Sequence, residues 1–338
     1  YRHFVLDEQI GFTEADTLGR SFAGNYRREE NIPGVFAENT FHMKDPRWIW
    51  IAGLRADRHN AFGWHVTPRT MLRFNPTPDL DLRASIGTGW RTVNLFPENT
   101  ALLVSNRDLV FAETLQPERA WNAGLNVTRR FSIGKMRMTA TGDFYHTRFQ
   151  NQFFPDYDSD PNKAILANFT GKSISNGLQM ELSAAWSRRV ELRAAYNFLD
   201  VFRYQNGAKV LLPFNPRHKV LGVASYRTPG ERWQFDANLH WYGKQRLPDT
   251  QKNPEALQRP AYSKNYTLAG LQIRHSRKRI EFFAGCENVF DFRQLRPILG
   301  WEQPFARGFD PSFAWGPTRG REFYAGFNFK IPKKTQQN

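Results

Sequence analysis

The sequence predicts an all-β protein, a transmembrane antiparallel β-barrel, and three observations support this fold class. Apolar residues recur at every second position in segments of about ten residues, the length that a tilted strand needs to cross a bilayer. Short and long connections alternate between these segments. Tryptophans lie near both ends of the strands, and the aromatic content of 15% suits a barrel with aromatic belts.

Residues 177–199 show the alternation most clearly. The apolar positions are Leu178, Met180, Leu182, Ala184 and Trp186, followed by Val190, Leu192, Ala194, Tyr196 and Phe198. Side chains of a strand alternate between its two faces, whereas a helix would need apolar residues three and four positions apart. This segment therefore predicts two half-apolar strands joined by a tight turn at 188–189.

The same pattern predicts fourteen strands along the chain. They cover residues 2–12, 34–42, 47–57, 64–74, 79–90, 117–131, 135–149, 173–187, 190–203, 217–227, 232–245, 262–276, 279–289 and 321–331. We interpret residues 1–331 as one barrel domain and residues 332–338 as a periplasmic tail.

The connections between the predicted strands alternate in length. Short ones fall at 43–46, 75–78, 132–134, 188–189, 228–231 and 277–278, and long ones at 91–116, 150–172, 204–216, 246–261 and 290–320. Residues 58–63 are the exception, a short connection where a long one is expected. Outer-membrane barrels have short periplasmic turns and long extracellular loops, so the pattern predicts that location and a periplasmic C-terminus.

Eight of the ten tryptophans lie in predicted strands and share the apolar face. Trp48, Trp50, Trp186 and Trp233 lie near the tight turns, and Trp64, Trp90, Trp121 and Trp241 near the long loops. Amphipathic rings favour the two membrane interfaces, so these residues predict two belts. The intervening polar residues, such as Asp79, Asp81 and Arg83, are then expected to line a wet or plugged interior.

Charge and hydropathy narrow the classes of partner. The net charge is +15, but Lys and Arg are spread along the chain without a basic arm or helix, so no nucleic-acid binding is predicted. A basic lumen for anionic solutes, or loops that meet lipopolysaccharide phosphates, explains the charge better. Mean hydropathy is −0.62 and no apolar run approaches eighteen residues, which excludes membrane-spanning helices.

No catalytic, metal or cofactor motif is evident. Gly171-Lys172-Ser173 lacks the upstream glycine of a phosphate-binding loop, because Leu166 stands there. The eight histidines show no metal-ligand spacing, and the single cysteine, Cys286, cannot form an intrachain disulfide. We therefore predict that the protein is not an enzyme and holds no metal or cofactor.

Several segments resemble TonB-dependent outer-membrane receptors, especially those of Bacteroidetes-type bacteria. The matching residues are 34–38, 52–57, 84–94, Leu115-Gln116-Pro117-Glu118 with Trp121-Asn122-Ala123-Gly124, Glu287-Asn288-Val289-Phe290-Asp291, and Gly320-Arg321-Glu322-Phe323-Tyr324-Ala325-Gly326. The resemblance implies a barrel of 22 strands, of which this chain would form about the last fourteen, without the plug. This chain departs from the family because it continues past Ile331 as residues 332–338.

The resemblance also implies a function and a set of binding residues. The intact protein would import a scarce solute such as a ferric siderophore or cobalamin, energised by TonB through a segment outside this chain. Aromatic and cationic side chains of the predicted loops suit a bulky anionic chelate, by stacking and charge pairing. These candidates are Arg91, Asn94, Phe153, Phe154, Tyr157, Arg246, Trp301, Arg307 and Arg319.

Three alternatives from other classes stay open. An even number of strands can close by itself, so a complete fourteen-stranded passive pore is the second hypothesis. A soluble glycan-binding β-protein is the third, and it would be soluble without detergent. A membrane enzyme is the fourth, and it would need a catalytic pair. Eight missing strands would leave two unpaired edges, so we predict that this segment does not fold stably alone.

Overall fold

The computed structural model describes residues 1–13, 21–304 and 306–331. Its strands are β1 (Arg2–Thr13), β2 (Ser21–Ile32), β3 (Gly34–His42), β4 (Trp48–His59), β5 (Gly63–Thr77), β6 (Leu80–Arg91), β7 (Asp108–Phe111), β8 (Glu118–Ile133), β9 (Met136–Phe149), β10 (Gln152–Phe153), β11 (Lys163–Leu166), β12 (Asn168–Phe169), β13 (Ser173–Trp186), β14 (Val190–Gln205), β15 (Ala208–Leu211), β16 (His218–Arg227), β17 (Trp233–Tyr242), β18 (Tyr266–Arg277), β19 (Ile280–Glu287) and β20 (Glu322–Phe329). The short helices are α1 (Leu95–Glu98), α2 (Thr100–Val104) and two 3₁₀ turns, Glu255–Leu257 and Pro311–Phe313.

One antiparallel sheet of fourteen strands dominates the fold and confirms the predicted class. Its order is β20-β19-β18-β17-β16-β14-β13-β9-β8-β6-β5-β4-β3, and β15 pairs with β14 beside this path. Thirteen of the predicted strands lie in the path. The largest error at an end is the start of β18, predicted at 262 and found at Tyr266.

The first predicted strand lies outside this sheet. Segment 2–12 forms β1, which pairs along its length with β2, a strand that the sequence did not predict. Proline 33 separates β2 from β3, and the Pro33 carbonyl accepts a hydrogen bond from the Arg58 amide. The pair β1–β2 thus extends the sheet beyond the long-loop end of β3. The alternation of apolar and polar residues did not predict β2 because charged residues lie on both of its faces. These residues are Arg27, Arg28, Glu29 and Glu30.

Register places apolar and polar residues on opposite faces along most of the main sheet. Leu182 pairs with Ala140 and Ala194, whereas Ser183 pairs with Thr139 and Arg193. Because paired residues share a face, each strand adds apolar side chains to one side. Leu182, Leu192 and Phe235 are 40–44% exposed on that side. Such a continuous exposed apolar surface indicates a face that meets a non-aqueous environment or a partner.

Two long connections from distant strands of the sheet contact each other. Arg107 lies between β6 and β8, and Asp310 lies between β19 and β20, yet their side chains meet at 2.6 Å. Seven steps of the sheet separate β8 from β19, which would be about 34 Å in a flat sheet. These two long connections therefore reach across the sheet and meet each other through buried side chains.

The two edges of the path are not paired with each other. Within the described ranges, β3 pairs only with β4, and β20 pairs only with β19. The sheet is therefore open, which is the opposite of what a self-closed fourteen-stranded pore requires. No helix of the described part is long and apolar enough to span a bilayer. The predicted tail 332–338 lies outside the described residues.

Seven of the eight strand tryptophans keep to the apolar face, and one departs from it. Trp50, Trp64, Trp121, Trp186 and Trp233 are 38–62% exposed, while Trp48 and Trp241 are half-buried. Trp90 instead stacks on His65, with ring centroids 3.8 Å apart, and meets the edge of the buried His59. Its ring has turned toward the polar face at the end of β6, so Trp90 does not fit the predicted belt.

Candidate ligand-binding loops at one end of the sheet

The long connections form a compact assembly with its own small core. Strand β7, from residues 92–117, pairs in parallel with β11, from residues 150–172. The buried core consists of Val93, Leu102, Phe153, Tyr157, Ala164 and Leu166. The sequence predicted these segments as irregular loops, because runs of four residues are too short to show a period. We call this structure the loop assembly, comprising residues 92–117, 150–172, 243–265 and 288–321.

Arg107 is the centre of the loop assembly. Its Nε lies 2.6 Å from Asp310 Oδ2, and the two side chains are only 3% and 5% exposed. Its Nη1 also lies 3.1–3.4 Å from the carbonyl oxygens of Tyr157, Asp160 and Lys163. An ion pair with this many hydrogen bonds offsets the cost of burying its charges, but either charge alone would be left unpaired. One side chain therefore connects three loops.

Burial and hydrogen bonding shift the pKa values of Tyr157 and Asp156 in the loop assembly. Burial raises the pKa of Tyr157 to about 12, and the negative charge of Asp310 acts in the same direction against the opposing effect of Arg107. For Asp156, burial opposes ionisation, but hydrogen bonds from Ser159 and two backbone amides outweigh it and lower the pKa. Both groups consequently keep one charge state at neutral pH.

Residues 299–304 and 306–310 belong to a loop of this assembly that is closed at its base. Leu299 and Asp310 exchange two backbone hydrogen bonds of 2.9 Å at its base. The side-chain amide of Asn106 donates to the carbonyls of Pro304 and Ala306. Trp301, 53% exposed, and the exposed Arg307 lie on this loop. A loop held at its base and by Asn106 thus presents an aromatic ring and a guanidinium to solvent.

Six of the nine candidate binding residues take part in loop packing. Phe153 and Tyr157 lie in the buried core, and the guanidinium of Arg203 covers the ring of Phe154 at 5.6 Å. Arg246 pairs with Asp158 at 2.5 Å, where the two side chains are 17% and 24% exposed. This pair joins residues 243–265 to residues 150–172.

Arg91 and Asn94 hold the beginning of the first long loop. Arg91 lies 2.7 Å from Glu98 and 2.5 Å from Glu118, and Asn94 accepts a hydrogen bond from Arg28 of β2. Their guanidinium and amide groups are already engaged. Arg91 is exposed as well, but two carboxylates hold it. Trp301, Arg307 and Arg319 are exposed, and Arg319, 85% exposed, has a longer contact of 3.6 Å to Glu322.

Sequence reasoning missed the residues that organise the site, namely Asn106, Arg107 and Asp310. Asp310 did carry a signal: Asp followed by Pro311 is typical of a helix start, and its carboxylate accepts from the Ser312 amide at 2.9 Å. Asn106 and Arg107 carried none, since they act across about 200 residues of sequence. Among the described residues, no group of three His, Cys, Asp or Glu side chains could hold a metal ion.

Comparisons with known proteins give these features a context. A family model described as "TonB dependent receptor-like, beta-barrel" matches residues 2–289. The ferric enterobactin receptor of Pseudomonas aeruginosa is 21% identical over 318 residues, covering 86% of this chain and 42% of that protein. The chain thus spans less than half the length of this curated relative.

Solved structures show the same fold. A crystal structure of the Pseudomonas aeruginosa ferric enterobactin receptor has a TM-score of 0.66 at 18% identity, covering 90% of this chain and 46% of its own. The siderophore receptor PirA of Acinetobacter baumannii has a TM-score of 0.64 at 15% identity, with coverages of 90% and 46%. The matched proteins are receptors and not enzymes, which confirms that prediction.

Proposed function

This chain belongs to the TonB-dependent receptor β-barrel family, and on that premise we propose that it forms part of the wall and loops of an outer-membrane siderophore receptor. Its substrate would be a ferric siderophore, a bulky chelate, taken up with energy supplied through TonB. The relatives named above are ferric enterobactin and siderophore receptors, which supports a siderophore over cobalamin. The long loops would face the outside of the cell and the tight turns the periplasm.

The observation that carries this proposal is the exposed pair on residues 299–310. Trp301 offers a π-face for a planar ligand ring, and Arg307 offers a cation for an anionic iron complex. Asn106 and Arg107 hold the backbone of this loop at Pro304, Ala306 and Asp310, so the loop would need little rearrangement when a ligand binds. Preorganisation of this kind lowers the entropic cost of binding. Arg319 adds a third exposed cation in the same long connection.

Binding to the purified full-length protein tests this proposal. Trp301→Ala and Arg307→Ala are each expected to weaken binding of a ferric catecholate about tenfold, the range for one stacking or charge-assisted contact. Fluorescence quenching in detergent measures the affinity. Arg188→Ala, at an exposed arginine of the tight turn after β13, is the matched control. Unchanged affinity in both loop variants would contradict the assignment of this loop.

Uptake into cells tests the energy coupling separately. Cells that express the protein as their sole siderophore receptor should accumulate radiolabelled ferric siderophore, and deletion of TonB should abolish that accumulation. Binding at the cell surface should persist in the deletion strain. Equal accumulation in both strains would contradict energy coupling through TonB.

A further inference from the structure

The apolar face of the sheet ends, on the long-loop side, in a cationic recess that the receptor function leaves unused. We infer that this recess binds a phosphorylated sugar headgroup of an outer-leaflet glycolipid, with Arg148 and Lys172 contacting its phosphate and Trp121 contacting its sugar. This inference rests on the proposed outer-membrane placement. It assigns a lipid site on the outside of the wall that includes the two ends of residues 150–172. This site is separate from residues 299–310, which would bind an iron chelate.

Strand register places the recess on the apolar face. Arg148 of β9 pairs with Trp121 of β8 and with Ile174 of β13. The residues that alternate with them, such as Thr147 and Ser175, belong to the polar face. Trp121 is 42% exposed and Arg148 is exposed. A guanidinium beside a tryptophan thus points away from the polar side of the sheet.

The position along the strands corresponds to an interface. Two residues nearer the tight turns, His146 and Asn176 form a polar pair on the same face, with a 2.7 Å hydrogen bond. Two residues further, the apolar surface begins with Leu125 and Phe144, which are 56% and 42% exposed. The order cation, neutral polar, apolar is the order of headgroup, interface and acyl chain in a lipid leaflet.

The charge of this region is strongly positive. Neither Arg148 nor Lys172 forms an ion pair in the part of the chain that the structure describes. The carboxylate on this stretch of the face, Asp200, is neutralised by Lys209 at 2.8 Å and Arg217 at 3.0 Å. Four cations against one carboxylate leave an excess of three positive charges, which a phosphate group complements.

The recess itself has room for a sugar ring. Its volume is about 470 Å³, and its lining includes Trp121, Arg148, Gln150, Thr170 and Lys172. The Lys172 ammonium also lies 5.1 Å from the centre of the Tyr204 ring. Amide and hydroxyl groups suit sugar hydroxyls, aromatic rings suit sugar faces, and the two cations suit phosphate.

Continuation of the sheet at its edges would not cover this recess. It lies on β8, β9 and β13, and each of these strands is paired on both sides within the sheet. The open edges are at β3 and β20, at least three strands away from β8 in either direction. The recess consequently stays accessible from the lipid side in a larger barrel.

Lipid binding by the full-length protein tests the inference. The probe is purified lipid A with two phosphates in mixed detergent micelles, compared with dephosphorylated lipid A and with phosphatidylglycerol. The double variant R148A/K172A is expected to bind diphosphoryl lipid A at least about tenfold more weakly, because two charge-assisted contacts are lost. Native mass spectrometry reports the bound species, and heat-modifiable electrophoretic mobility confirms that each variant folds.

Two controls separate the possible outcomes. Arg319→Gln removes an exposed cation of the loop assembly and should leave lipid A affinity unchanged, while R148A/K172A should leave ferric catecholate affinity unchanged. Equal lipid A affinity in the double variant and the unmodified protein would overturn the inference. So would equal binding of dephosphorylated lipid A or phosphatidylglycerol by the unmodified protein. Loss of chelate binding in Trp301→Ala tests the receptor function independently of all these results.

Discussion

The Arg107 guanidinium and the Asp310 carboxylate meet at 2.6 Å although 203 residues separate them, and both side chains are almost completely buried. Their contact joins a loop that follows β6 to a loop that follows β19. It also fixes the base of residues 299–310, because Asp310 forms the backbone pair with Leu299. The geometry of the exposed Trp301 and Arg307 therefore depends on this ion pair together with the hydrogen bonds of Asn106.

Removing either partner of the pair should loosen the whole loop assembly. We expect Arg107→Ala or Asp310→Ala to lower the free energy of local opening by about 3–5 kcal/mol, because a buried charge is left without its counter-ion. Limited proteolysis of the folded protein, with cleavage mapped to residues 150–172 and 288–321, measures this opening. The matched control is Arg293→Ala, which breaks the exposed pair with Asp291 and should change little.

A double-variant cycle distinguishes this pair from general damage to the loops. If the two charges act on each other, Arg107→Met combined with Asp310→Leu should protect the loops better than either single variant, because no unpaired charge remains. Strictly additive effects of the two substitutions would contradict the proposed coupling.

Gly300 should be required for the shape of residues 299–310. Its φ is +61°, and a Cβ atom there would lie 2.6 Å from the carbonyl oxygen of Gly308. We expect Gly300→Ala to destabilise the loop by about 1–3 kcal/mol and to reduce chelate binding as Trp301→Ala does. Gly89→Ala is the control, because a Cβ at Gly89 would contact nothing within 4 Å. Equal chelate affinity in both glycine variants would argue against a positioned loop.

The buried phenol of Tyr157 predicts an alkaline limit for the loop assembly. Its pKa is raised to about 12 from the ordinary value of 10.0, so the folded loops bind this proton more tightly than unfolded ones. The resulting stability is fully present below about pH 10 and is lost as the pH rises through about 12. Absorbance at 295 nm should show one tyrosinate forming near pH 12, and Tyr157→Phe should remove it. Identical titration curves for the two proteins would contradict the burial of this residue.

Much of the fold could be predicted because most strands of the main sheet have one largely apolar and one largely polar face. Alternation identified β13 and β14 almost to the residue, since a shift of one position would move Arg193 to the apolar face. The same rule missed β2, where both faces carry charge. It also missed β7 and β11, whose four residues each are held by each other and by Arg107 instead of by a periodic pattern.

The candidate site could be predicted only by residue type. Aromatic and cationic residues of the long connections were identified, but exposure was not available from the sequence. Tyr157 and Trp301 are both aromatic residues of the long connections. Tyr157 is nevertheless buried against Arg107, whereas Trp301 is exposed on the loop of residues 299–310. The orientation of Trp90 could not be predicted from the sequence either. Its position in the alternation of β6 predicts the apolar face, but the stacking contact with His65 holds its ring on the polar face.

We propose that the apolar face of the sheet meets hydrocarbon and that its polar face meets a wet interior. Spin labels placed singly at Leu182, Leu192 and Phe235, and at their neighbours Ser183, Arg193 and Asp236, test it in lipid bilayers. Collision with oxygen should be high at the first three positions, and collision with a water-soluble nickel complex should be high at the second three. Shielding of Leu182, Leu192 and Phe235 from oxygen, with no alternation between neighbours, would contradict the account.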